Sequence, residues 1–94
     1  MGSFLVQRRL SQNATRLKSL RAELAQIDEQ LWVVRADADD EALRSLVSET
    51  PDASRTANEA RKHADALQRH RDHVAGSIVE LERRQDELLD RLSR

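Results

Sequence analysis

Apolar residues recur along this chain with gaps that alternate between three and four. In the first half Leu10, Leu17, Leu24 and Leu31 repeat every seven residues, and Val6, Leu20, Ile27 and Val34 hold the second position of each repeat, with Asn13 in the same series. This is an a/d heptad pattern, which predicts a long amphipathic helix whose apolar seam packs against another helix. The pattern weakens over residues 35–41, where Ala38 and Glu41 occupy the seam. It seems to restart out of phase at Leu43, Leu46 and Val47, which suggests a four-residue stutter, with a helix break over residues 36–42 as the alternative. The second half repeats the alternation through Ala57, Ala60, Ala64, Leu67, Arg71, Val74, Ile78, Leu81, Gln85, Leu88 and Leu92.

Between the halves stands Ser48-Glu49-Thr50-Pro51-Asp52. Thr50 suits a helix N-cap, Pro51 the first helical position, and Asp52 the positive end of the helix dipole. Steric pressure from Pro51 drives the preceding residue out of the α region, so the first helix should stop just before it. The expected architecture is all-α: a single long antiparallel hairpin over residues 1–94, with helices at about 3–49 and 51–93 and the turn at about 50–51. Facing residue numbers then sum to about 101, so Leu20 faces Leu81 and Val34 faces Leu67. Asp37, Asp39 and Asp40 are expected near Arg61, Lys62 and His63.

The composition fits this pattern. Charged residues are 35% of the chain, aromatics are Phe4 and Trp32 alone, and Gly2, Gly76 and Pro51 are the only Gly and Pro. Helix formers dominate, turn residues are too sparse for a β or α/β fold, and the heptads argue against disorder. The formal net charge of −1 selects neither nucleic acid nor an anionic membrane. Cys is absent, which excludes disulfides and thiolate metal sites. No apolar run is long enough to span a bilayer and no signal-peptide pattern is present, so a cytoplasmic setting is expected. The bias to fourteen Arg over two Lys points to a GC-rich bacterial source.

Candidate chemistry is thin. No Cys, Ser/His/acid constellation or Gly-rich phosphate loop is present, so no catalytic, cofactor-binding or metal residue is assigned and the chain is expected not to be an enzyme. His63, His70 and His73 share roughly one helix face, but their spacing matches no zinc motif. A structural reading is preferred for the polar seam residues Asn13, Arg71 and Gln85, which can fix register. Gly76 could mark the close approach of another helix, or simply be tolerated at a cost of about 1 kcal/mol.

What remains are surfaces. Ala22, Ala25, Trp32, Val33 and Ala36 form a partial second stripe, and the chain termini gather further large apolar residues. The expected interaction surface is Phe4, Leu5, Trp32, Val33, Val79 and Leu89. An apolar stripe wider than a/d favours self-association, with a homodimer forming a four-helix bundle and docking a further protein partner. The alternative is a nucleic-acid-, ribosome- or RNA-polymerase-associated hairpin that uses Arg8, Arg9, Arg16, Lys18 and Arg21. Those residues spread over several helix faces, and no aromatic is interleaved among them for base stacking.

The run Gly2-Ser3-Phe4-Leu5-Val6-Gln7-Arg8-Arg9-Leu10, with Val47-Ser48-Glu49-Thr50-Pro51, His70-Arg71-Asp72-His73 and Gln85-Asp86-Glu87-Leu88-Leu89-Asp90, resembles small coiled-coil proteins of actinobacteria along the full length. The resemblance implies a helical coiled coil in a bacterial cytoplasm and brings with it no activity, cofactor or partner.

Overall fold

A computed structural model describes residues 2–94 and shows two long helices packed as an antiparallel hairpin, with no strand among the described residues. Helix α1 runs Gly2–Ser48 and helix α2 runs Pro51–Leu92. The connection is two residues, Glu49 and Thr50. Glu49 adopts the left-handed conformation at φ 52°, and its N–H reaches the Ser45 carbonyl at 3.0 Å. This closes α1 with the αL cap that Gly or Asn usually provides. Thr50 then opens α2: its hydroxyl accepts the Ala53 N–H at 3.2 Å, and its carbonyl accepts the Ser54 N–H at 3.1 Å. The N-cap geometry is the one that Thr-Pro-Asp encodes.

The chain divides into two compact units. One, at the open end, holds residues up to Leu24 together with His73–Arg94. Its core is Leu17 and Leu20 from α1 against Val74, Ile78 and Leu88 from α2, all buried. Val6, Leu10, Asn13 and Leu24 on α1 and Leu81 and Gln85 on α2 extend the same seam at intermediate exposure. The Gln85 amide donates to the Leu10 carbonyl at 3.1 Å, while its Oε1 is buried without a hydrogen-bond partner.

The other unit, Ala25–Asp72, contains the turn. Ile27, Leu31 and Ala64 are its buried residues. Arg71 leaves the seam at its guanidinium end, donating to Asp28 at 2.9 Å and approaching Asp72 at 3.5 Å. Its aliphatic stem can thus line the seam while the charge remains paired and wet. Arg35 hydrogen-bonds Gln68 at 3.1 Å and lies 3.8 Å from Asp65. The Ser45 and Ser54 hydroxyls are 3.2 Å apart near the turn. These partners lie close to the expected register.

Three expectations are corrected. First, α1 has neither a stutter nor a break. Its protected positions continue in phase past Val34 through Ala38, Glu41 and Ser45, opposite the small α2 positions Ala53, Ala57 and Ala60. Leu43, Leu46 and Val47 are exposed and belong to a different face of the same helix. Second, Asp37, Asp39 and Asp40 make no ion pair with Arg61, Lys62 or His63 among the described residues; the cross-helix pairs of this unit run through Arg35 and Arg71 instead. Third, no helix of the chain approaches Gly76, where an added Cβ would meet nothing within 4 Å.

Candidate interaction surface

A heptad places its a and d residues toward the partner helix and its b, c and f residues away from it. In the turn-containing unit the outward positions of α1 hold Trp32, Val33, Ala36, Leu43, Leu46 and Val47. Trp32, Ala36, Asp39, Leu43 and Leu46 themselves advance by four, three, four and three. This is a second heptad stripe on the back of α1, with Val33 and Val47 beside it. The exposures are large: 79% for Trp32, 75% for Leu46 and 80% for Val47. A helix with apolar residues on opposite faces segregates them poorly, and α1 is less amphipathic than α2. Acids flank the stripe: Asp37, Asp39, Asp40 and Glu49 make no ion pair among the described residues.

In the open-end unit the expected surface residues Phe4, Leu5, Val79 and Leu89 are likewise exposed, as are Trp32 and Val33 in the other unit. Leu5 and Val6 from α1 and Leu88 and Leu92 from α2 line an open groove of about 650 Å³, rimmed by Arg9, Arg91 and Arg94. Arg94 is held by Asp90 at 3.3 Å. Arg8, Arg9, Arg16 and Lys18 make no ion pair among the described residues, whereas Arg21 lies 3.9 Å from Glu82. The basic residues of α1 are therefore available, with Arg21 weakly engaged.

The remaining charges of α2 are knit locally. Arg83 joins Glu80 at 2.6 Å and also pairs with Glu87, while Arg84 reaches Glu80 at 3.4 Å. The hydrogen bond from Arg83 holds the Glu80 carboxyl below its ordinary value, and the same bond raises the Arg83 guanidinium above its own. Arg71 is raised in the same manner, chiefly by its hydrogen bond to Asp28. These are exposed structural pairs on helix surfaces, outside any enclosed cleft, and they carry no sign of tuned acid–base chemistry.

Among the described residues no group of three or more His, Cys, Asp or Glu is placed to hold a metal ion. No helix is long and apolar enough to cross a membrane. Leu43, Leu46 and Val47 are the surface residues that reading the sequence missed. Their apolar character was visible, but it was assigned to the seam. The signal that could have separated them is the unbroken series of small or short side chains at Ala38, Ser45, Ala53, Ala57 and Ala60, which lets the two helices meet without them. No family model, curated protein or solved structure matches the chain.

Proposed function

We propose that this hairpin is a non-enzymatic protein-interaction module of the bacterial cytoplasm, a scaffold or regulatory element that self-associates as a homodimer and docks a partner protein. The observation that supports this reading is the outward stripe of α1, where Trp32, Leu46 and Val47 are each at least three-quarters exposed. Large apolar side chains at heptad spacing on a wet helix face lose free energy unless another helix covers them, and such patches usually mark an interface. A second hairpin laid over this stripe gives a bundle of four helices.

Light scattering across a concentration series tests the proposal. The expected mass at high concentration is about 22 kDa, twice the 10.8 kDa of one chain. Trp32 emission should shift to the red on dilution as the indole becomes wet. Trp32→Ala should weaken association. A concentration-independent monomer with solvated Trp32 would refute self-association.

A second reading rests on the unpaired Arg8, Arg9, Arg16 and Lys18. Phosphate-backbone binding through them would make the hairpin a nucleic-acid-, ribosome- or RNA-polymerase-associated element. Anisotropy of a labelled RNA duplex should then show a salt-dependent affinity that falls in the Arg8→Ala/Arg9→Ala variant. Binding that ignores either change would dismiss it.

A further inference from the structure

The two units present outer α1 faces of opposite charge. In the open-end unit this face carries Phe4, Leu5, Arg8, Arg9 and Lys18, with no acid on α1 before Glu23. In the turn-containing unit it carries Trp32, Asp39, Asp40, Leu43, Leu46 and Val47. Both faces have apolar residues exposed, and the charges named on each are without an ion partner among the described residues. Each therefore lacks what the other offers.

Direction follows from the order of residues. From Phe4 to Lys18 is two heptads, and so is the step from Val47 back to Val33. Laid antiparallel, Phe4 and Leu5 meet Val47 and Leu46 of a second copy. Arg8 and Arg9 then reach Asp39 and Asp40, and Lys18 lies over Trp32 and Val33, where its stem can cover the indole and its ammonium can sit on the ring face. Laid parallel, Phe4 would meet Trp32, but Lys18 would be set among Leu46 and Val47 and the Arg pair would face Ala36. The antiparallel arrangement matches apolar with apolar and cation with acid. At its centre stand the small residues Thr15 and Ala36, both exposed, which allow the helices to approach.

We infer that the occupant of the outer α1 stripe is a second copy of this chain, with the open-end face of one copy packed antiparallel on the turn-end face of the other. This rests on the interaction-module reading and specifies its surface, direction and pairing. Electrostatic complementarity supplies the specificity, and the apolar ends supply the adhesion.

Because the chain has no Cys, single thiols report geometry without interference. Full-length Thr15→Cys and Ala36→Cys chains, one carrying a size tag, are mixed under mild oxidation. The expected product is the mixed disulfide, formed faster than either like-with-like product. Arg8→Glu/Arg9→Glu should raise the dissociation constant about tenfold or more, and adding Asp39→Arg/Asp40→Arg in the same chain should restore it. Circular dichroism on each variant reports whether the hairpin remains helical, which these exposed positions predict. A dimer linked only like-with-like, or one indifferent to both charge reversals, would overturn this geometry and leave the module reading standing. A monomer at every concentration would overturn both.

Discussion

Replacing Gly76 with Ala should stabilise the hairpin. Gly76 lies in the interior of α2 with a helical backbone, and its φ is not positive. It occupies the outward f position, opposite the seam, and an added Cβ would meet nothing within 4 Å. No steric term therefore opposes the gain in helix propensity, which is about 1 kcal/mol for Gly to Ala in a helix interior. For a chain of this size 1 kcal/mol corresponds to a rise in Tm of about 4–8 °C. Thermal denaturation followed by circular dichroism measures this directly. It should be run at two protein concentrations, because self-association makes Tm concentration-dependent. The expected result is the same upward shift at both. A fall in Tm, or a gain at low concentration that reverses at high concentration, would show that another chain packs closely over Gly76. That would refute the placement of the self-association surface on the back of α1.

Glu49 holds a left-handed conformation and places a carboxylate at the negative end of the α1 dipole, so Glu49→Gly should stabilise by about 1 kcal/mol, read as a higher denaturation midpoint. A loss of stability would mean that the carboxylate has a favourable role at the turn. Gln85→Leu removes a seam amide whose Oε1 has no partner, and should add about 1 kcal/mol, with native register lost first if the amide specifies it. Cysteine pairs at Leu20 and Leu81 on the Gln85→Leu background would report that slippage. Glu80 has a depressed carboxyl value in the folded chain, so its contribution is present above the ordinary Glu range and is lost as pH falls through the lowered value. Glu80→Gln should flatten that part of the stability-versus-pH curve, and an unchanged acid limb would show that the Arg83 pairing does not matter in solution.

Most of the architecture could be read from the residues. Alternation of three and four fixes a helix, the short Glu49-Thr50 connection fixes the direction of return, and apolar matching fixes the register to within about one turn. Thr50, Pro51 and Asp52 mark the start of α2 because each serves a backbone need found only at a helix N-terminus. The left-handed Glu49 could not be read, since nothing in Glu favours that conformation; closing two helices within two residues demands it there. The exposed surface was legible where Trp32 and Val33 compete with Leu31 and Val34 for one seam. It was misread at Leu43, Leu46 and Val47, because a phase shift of four residues and a second stripe on the opposite face place apolar residues at the same positions.

What separates those two accounts is the size of the side chains left in phase. Ala38, Glu41 and Ser45 are poor core residues by themselves, so the large residues nearby attract the assignment. Opposite them, however, stand Ala53, Ala57 and Ala60, and two helices that offer each other only small groups can pack without any larger residue. The consequence is energetic as well as geometric. Near the turn the seam buries little apolar area, and the fully buried residues of that unit are Ile27, Leu31 and Ala64. Local stability follows buried contact, so amides of residues 38–60 should exchange with solvent faster than those around Leu17 and Ile78 in the monomer. Covering Leu43, Leu46 and Val47 with a second chain would slow that exchange. Hydrogen exchange measured below and above the association midpoint tests the point. Equal protection at both concentrations would mean that the outer stripe stays wet and that the turn end holds itself together by other means.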